Sequence, residues 1–458
     1  MAKKFDFEYT IIGSGPAGKA AAFALAKLSR KKIAIVEKNK FGGAELNSRD
    51  VPYSAGLGFS HLYFEASHAN KYGISGANLH FNFPTAVNYQ NEVVKKAGGD
   101  DKSEYEKAGI VCLSGAAHFL DANTIAVNDK QYTSTKFIIA TGAKLAVNGI
   151  SGIENVEFLT PETAIKLRRL PKAICIVGGG ATGCEIAQYF AELGVKTVLI
   201  ERSSRLLPRE DVEVGKAIEE QFASLGIVVL TNARVVALEN DSLSKRVVFA
   251  KDGHEKMVRV ENVIMATGSE PLTDLGLENA GVKYKNSGIV VDKSFQTSAK
   301  NIFAIGDVIG GESSTDIASY QGTLLASELA AKSKVPANYN GYIRTVKTFP
   351  EVATVGFNED DLLKRDRHCR KEIAYLDENK VAAAVNGFKN GFVKILSDKN
   401  GKIVGATIVA PNASSMIQEL ALAIRHNLGV LEIASTPHLS SEYSNLIRVV
   451  AKRLAQKK

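Results

Sequence analysis

Cysteine is scarce in this 458-residue chain, with only four residues, at 112, 175, 184 and 369. No Cys-x-x-Cys pair and no ligand-like spacing joins them, which predicts neither a structural disulfide set nor a zinc site. Cys175 and Cys184 lie in apolar stretches and are expected to be inert core thiols. Long apolar runs are missing too. None approaches the ~18 residues of a membrane-spanning helix, so no membrane span is expected. The start, Met-Ala-Lys-Lys-Phe-Asp-Phe-Glu-Tyr, enters a strand at once and lacks the apolar core of a signal peptide. A cytoplasmic location is therefore the expectation. The net charge of +8 raises the question of nucleic acid or an anionic membrane. The lysines are spread out, however, and the densest basic clusters, 27–40 and 448–458, lack the interleaved aromatics of a single-strand groove. A solvated basic face and no nucleic-acid partner are expected. Anionic dinucleotides would also be drawn to such a surface.

What is present is a repeated dinucleotide signature. The length suits roughly two to four domains. Tyr9-Thr10-Ile11-Ile12 is a β-rich run opening onto Gly13-Ser14-Gly15-Pro16-Ala17-Gly18, and an alanine-rich helical stretch follows to Leu28. A second apolar run, 33–36, ends at Glu37, with Lys38 next. Strand, glycine turn, helix, strand and terminal acid have a physical logic. Glycines let the backbone approach a pyrophosphate, the helix start offers free N–H groups, and the acid accepts hydrogen bonds from a ribose diol. The unit then recurs. Residues 173–177 lead into Gly178-Gly179-Gly180-Ala181-Thr182-Gly183, a helix follows through Glu192, and residues 198–200 end at Glu201 and Arg202. Two such folds predict two bound dinucleotides.

Residues 42–54 read Gly-Gly-Ala-Glu-Leu-Asn-Ser-Arg-Asp-Val-Pro-Tyr-Ser. With the first glycine turn, they resemble the active-site segment of the flavoprotein disulfide reductases, the family of dihydrolipoamide dehydrogenase, glutathione reductase and mercuric reductase. The family motif is Gly-Gly-Thr-Cys-Leu-Asn-x-Gly-Cys-Ile-Pro-Ser-Lys. Its two redox cysteines fall here on Glu45 and Asp50, and its lysine on Ser54. Other segments continue the resemblance. The Thr141-Gly142 and Thr267-Gly268 turns match the two chain crossings out of the nucleotide folds. Gly306-Asp307 matches the second FAD fingerprint, with a helix from about Ala318 behind it. Residues 348–356 match the opening of the interface domain, with strands at 391–396 and 403–406 and a helix at 416–426.

The resemblance implies an α/β chain with two Rossmann-like dinucleotide-binding domains, for FAD and NAD(P), plus a C-terminal α+β dimerisation domain. The expected FAD-binding segments are 1–150 and 270–335. The NAD(P) domain is 151–269 and the interface domain 336–458, in a homodimer. Gly13, Gly15, Pro16, Ala17, Gly18, Glu37, Lys38, Gly43, Ala44, Thr141, Gly142, Gly306 and Asp307 are the candidate FAD contacts. Gly178, Gly180, Ala181, Thr182, Gly183, Glu201, Arg202 and Gly268 are the candidate nicotinamide-cofactor contacts. An acid at 201 favours NAD(H) over NADP(H), although Arg202 and Arg205 offer charge to a phosphate. Where several relatives have a covering tyrosine, Ala181 would leave the flavin more open.

The same resemblance places a thiol-directed histidine and glutamate at Thr436 and Ser441, so the parts that serve a disulfide are replaced together. His438 and Glu442 lie nearby but out of register. His438 is expected to be a surface or interface histidine, the alternative being a proton-transfer role that would need a local shift. Glu45, Asp50, Arg49 and Glu185 are the candidate catalytic groups. Arg49 stands four residues after Glu45, the spacing of a helical ion pair, and Glu185 is the family partner of the missing lysine. Two readings stay open: the carboxylates tune the flavin or donate protons, or they merely solvate an emptied cleft. The expected function is a FAD-dependent NAD(P)H:acceptor oxidoreductase serving a small-molecule electron acceptor such as a quinone or dye. A soluble transhydrogenase and a non-turnover flavin- or nucleotide-binding sensor or assembly protein are the alternatives.

Overall fold

The computed structural model describes residues 4–74, 79–147, 149–311, 314–331 and 336–457. The chain divides into two compact units, each assembled from three separated segments.

The first unit comprises Met1–Ala55, Thr85–Ala146 and Gly268–Asn338. Its sheet runs Ile110–Ser114, Ile33–Glu37, Phe7–Ile12, Lys130–Ile139, Thr124–Val127 and Ala117–Asp121, with Ile302–Ala304 also pairing to Lys130–Ile139. The first four strands and Ile302–Ala304 are parallel. Both faces of the central strands are covered, which explains their almost unbroken Val and Ile runs. Ile11, Ile35 and Ile138 pack into one buried cluster, and Ile12, Val36 and Ile139 into the other. The register pairs Ile12 with both Val36 and Ile139. The C-terminal ends of these strands therefore lie along one edge, where open α/β sheets bind ligands. The Pro16–Leu28 helix begins with proline, whose fixed φ suits a first helical turn. Its alanines admit the Thr315–Ala331 helix very closely. A methyl group at Gly322 would lie 2.3 Å from the Ala17 carbonyl oxygen.

That second helix starts three residues before the position expected from the sequence. Ser314 causes the earlier start: its Oγ accepts the Asp316 N–H at 3.2 Å and satisfies one of the donors a helix start exposes.

The second unit comprises Gly56–Pro84, Val147–Thr267 and Tyr339–Lys458. A parallel sheet runs Val228–Leu230, Lys196–Ile200, Ala173–Val177 and Asn262–Met265. An antiparallel sheet orders Ile343–Val346, Glu351–Gly356, Ile403–Ala410, Phe392–Ser397 and Arg370–Tyr375. Val393, Ile395, Ala406 and Ile408 from this sheet bury against Leu420, Ile447 and Val450 of the C-terminal helices. The expected helix over 416–426 forms as two pieces, Ala413–Met416 and Gln418–Arg425. Among the described residues, no helix is long and apolar enough to cross a membrane.

Candidate functional site

The two glycine turns solve the same steric problem with the same two positions. A methyl at Gly13 would stand 2.3 Å from the Ala140 carbonyl oxygen, and one at Gly178 2.3 Å from that of Ala266. Both glycines have positive φ, 105° and 113°. A methyl at Gly18 would lie 1.9 Å from the Gly13 oxygen, and one at Gly183 1.8 Å from the Gly178 oxygen. These four positions let helix and strand meet. Gly15 and Gly180 differ, because nothing lies within 4 Å of a methyl group at either. Each immediately precedes a helix, Pro16–Leu28 or Ala181–Glu192, whose N-terminus has no side-chain cap. Open space in front of uncapped N–H groups fits a pyrophosphate.

The two acids match as well. Glu37 Oε2 accepts the Ser14 N–H at 3.0 Å and its hydroxyl at 2.7 Å, while Oε1 accepts the Asn39 N–H at 2.8 Å. Glu201 Oε2 accepts the Gly179 N–H at 2.6 Å, and its Oε1 the Ser203 N–H at 2.7 Å. Both carboxylates are buried. Each oxygen can accept more than one donor, so a ribose diol finds pre-oriented acceptors there. Lys38 and Arg202, the next residues, are exposed. Arg205, named with Arg202 as able to accept a phosphate, uses its Nη2 elsewhere, while its buried Nε makes no hydrogen bond. That Nη2 donates to the Pro208 and Glu210 carbonyls and to Asp360.

The remaining candidate FAD contacts gather around the first turn. Gly306, at φ 75°, stands against Ala17, and its N–H donates to Gln321 Oε1 at 2.7 Å. Asp307 follows it, half-buried. Thr141 donates its hydroxyl to the Leu272 carbonyl at 2.7 Å, and Gly142 turns at φ 73°. Gly43 packs on Gly15, where a methyl would come within 2.5 Å of the Gly15 Cα. These residues fit FAD: glycines at every close approach, an acid at the end of the second strand, and an acid after the Gly306 turn. Ala181 and Thr182 are exposed at the start of the second helix, and Gly268 accepts the Ala146 N–H at 3.0 Å.

The 42–54 segment is held from several sides. Asn47 donates to the Phe41 and Gly43 carbonyls at 2.8 and 2.9 Å. Phe41 and Asp100 exchange two bonds of 3.0 Å, and Gln90 donates to the Pro52 carbonyl at 3.1 Å. Glu45 is half-exposed within the Gly43–Ser48 helix, with Ala44 exposed beside it. Glu45 lies inside this helix, and Arg49, four residues on, is its C-cap. Arg49 leaves helical geometry at φ −119° and ψ −106°, and its N–H reaches back to the Ala44 carbonyl. Asp50 opens the next helix, Asp50–Ser67, and accepts the Thr315 hydroxyl at 2.7 Å. In the second unit, Glu185 accepts the Lys347 N–H at 2.8 Å.

His438 packs against a neighbouring helix. Of the two expected settings, surface or interface, the structure speaks against an open surface one, since only 6% of its side chain is exposed. Its Nε2 lies 3.0 Å from Glu419, and its Nδ1 is 2.9 Å from the Thr436 carbonyl oxygen. The partner is thus Glu419 of the Gln418–Arg425 helix rather than the nearby Glu442. Thr436 and Ser441 are exposed. The sequence also gave no sign of Thr315, which is 265 positions from Asp50. A second cluster passed unnoticed as well. Glu192, with 1% of its side chain exposed, lies 3.0 Å from His61 and accepts from Ser60 and Gln188. Its helical i, i+4 link to Gln188 is the one local signal that existed.

Comparison with known proteins agrees with this geometry. Residues 7–322 match the pyridine nucleotide-disulphide oxidoreductase family, and residues 343–448 match that family's dimerisation domain. A dihydrolipoyl dehydrogenase from Geobacillus stearothermophilus is 32% identical over 94% of this chain and 93% of its own. A mercuric reductase from Bacillus cereus is 30% identical over 95% of this chain and 70% of its own. Among solved structures, LpdA from Mycobacterium tuberculosis superposes with a TM-score of 0.87 at 25% identity, covering 98% of this chain and 99% of its own.

Proposed function

The chain belongs to the pyridine nucleotide-disulphide oxidoreductase family, and we propose that it is a member working without a disulfide relay. In this reading, it oxidises NADH and reduces a diffusible small-molecule acceptor such as a quinone. One observation carries the proposal: the segment that resembles the redox-disulfide motif holds Glu45 and Asp50 at its cysteine positions. The four cysteines lie elsewhere and are free thiols, two of them buried. A carboxylate cannot form a disulfide or accept electrons from a reduced flavin.

FAD, when bound, supplies the two-electron store between nicotinamide and acceptor. The chain's own residues bind and orient. Gly15 and the first helix receive the pyrophosphate of FAD, Glu37 its ribose, and Asp307 its ribityl hydroxyls. Gly180 and the second helix receive the pyrophosphate of the nicotinamide cofactor. Glu201 favours NADH, because a 2′-phosphate would meet a buried carboxylate there, and the Nη2 of Arg205 already donates to other acceptors. Glu45 and Arg49 are assigned to charge and proton handling on the acceptor side. Glu185 fixes the Lys347 backbone. A homodimer and the three-part division at 150, 270 and 336 complete the proposal, supported by the match of residues 343–448 to a dimerisation domain.

Anaerobic stopped-flow mixing with NADH, followed by a panel of acceptors, tests the reading. The flavin should bleach, a quinone should reoxidise it, and lipoamide should not. A flavin that stays oxidised would make the chain a binder. Faster reoxidation by thio-NAD than by quinone would make it a transhydrogenase. Lipoamide turnover at the quinone rate would overturn the proposal.

A further inference from the structure

Asp50 and Thr315 each open a helix, Asp50–Ser67 and Thr315–Ala331. The Thr315 hydroxyl does not serve its own helix start, because Ser314 already accepts the Asp316 N–H. It donates instead to Asp50 Oδ2 at 2.7 Å. The carboxylate thus stands at two helix N-termini at once, where the backbone dipoles favour negative charge. The bond ties the glutamate-bearing segment to a particular helix. That helix accepts the Gly306 N–H on Gln321 and packs Gly322 against Ala17. The same helix therefore sets the register of both the first glycine turn and the Gly306–Asp307 turn.

We propose that Asp50 is a positioning residue: through Thr315 it fixes the 43–54 segment, and with it Glu45, for the acceptor half of the reaction. The inference rests on the reading above that the chain is a flavin-dependent oxidoreductase without a disulfide. It assigns Asp50 neither a proton nor an electron. A carboxylate that merely solvated an open cleft, or only complemented its own helix start, would not depend on the Thr315 hydroxyl.

The test uses the full-length FAD-loaded protein and the Thr315→Val, Thr315→Ser and Asp50→Ala variants, with benzoquinone as the acceptor. Thr315→Val keeps the shape of the side chain and removes the donor. It should retain FAD and be reduced by NADH at the normal rate. Its kcat/KM for benzoquinone should change by about three- to tenfold, the scale of one lost hydrogen bond. Thr315→Ser should restore the original value, and Thr315→Val should add nothing in an Asp50→Ala background. The inference is overturned if Thr315→Val handles benzoquinone normally, if serine fails to rescue, or if the two changes add independently. Loss of FAD or of NADH reduction in Thr315→Val would also overturn it, by making Thr315 a cofactor or folding residue. A wild-type protein that holds no FAD would instead remove the underlying reading.

Discussion

Gly15 and Gly18 stand three residues apart in one motif and answer to different constraints. At Gly18 a side chain would collide with the backbone carbonyl of Gly13 at 1.9 Å, and neither group can move without breaking the helix-to-strand packing. At Gly15 the backbone is ordinary, with φ −63°, and the space is open. Gly18→Ala should therefore lower stability by about 3 kcal/mol or more, as severe overpacking does. Gly15→Ala should fold normally and lose FAD affinity by roughly tenfold or more, about 1.4 kcal/mol per factor of ten. Thermal unfolding of the apoprotein, paired with FAD titration, checks both. The parallel change Gly180→Ala should leave FAD content intact and raise KM for NADH. If Gly15→Ala binds FAD normally, the phosphate does not sit where the open space suggests. The sequence motif alone does not distinguish these glycines, because spacing shows which positions are glycine and not what each one meets. Glu37 and Glu201 were legible for the opposite reason: one ends a strand and the other directly follows one, so local order determined where each carboxylate would stand.

Whole elements were legible where their signal was local. The strand Ala173–Val177 and the helices Pro16–Leu28 and Ala181–Glu192 fall where the sequence pattern put them. Apolar runs, glycine turns and helix starts act within a few residues. Contacts between distant elements were not legible. The clearest example is Lys394, which lies in a sheet strand, is 1% exposed, and is surrounded by Asp211, Glu213 and Glu359. No spacing rule joins these four positions. Within the cluster the acids differ. Burial pushes the Asp211 carboxyl above its usual range, and the pull of Lys394 does not fully offset it. Burial also acts on Glu359, but the bonds to Lys371 and Lys394 outweigh it and hold that carboxyl below its usual range. A depressed carboxyl adds stability above its unfolded pKa, and this is lost as pH falls through the folded value. A raised one adds stability only at lower pH, and its ionisation near neutrality costs stability. At pH 7, Glu359→Gln should thus destabilise by about 1 kcal/mol, discounted for its partial exposure, while Asp211→Asn should be neutral or stabilising. The gap should narrow in acid, as pH falls through the lowered folded value of Glu359. Urea unfolding of the two variants at pH 7 and through a descending acid series measures it. Equal losses at every pH would show that shape rather than charge decides.

At the scale of the molecule, the question is how many electrons one subunit holds between substrates. FAD accounts for two, and a redox disulfide would add two more. Among the described residues the only thiols are Cys112, Cys175, Cys184 and Cys369, all free. Burial pushes Cys175 up to about 12 and Cys184 well above the ordinary thiol range, which suppresses the reactive thiolate. Cys112 and Cys369 are half-buried and also raised, chiefly by burial. An anaerobic dithionite titration should therefore end at two electrons per subunit, with no long-wavelength band from a thiolate beside the flavin. Alkylation of the native protein should spare Cys175 and Cys184, and all four cysteines should react once it is unfolded. Sedimentation at micromolar concentration places these counts on a subunit basis, and it should find a homodimer. Four electrons per subunit would reveal a second redox centre, and mapping the thiols lost on oxidation would locate it. Cysteines introduced together at Glu45 and Asp50 supply the converse experiment. They restore atoms able to form a disulfide, so the titration should rise to four electrons. Lipoamide turnover should nonetheless stay low, because Ser54, Thr436 and Ser441 remain unable to handle thiol protons, and His438 is turned inward onto Glu419. Rapid lipoamide turnover in that double variant would mean that only the two sulfurs separate this chain from a disulfide reductase, and that the proton-handling argument is wrong.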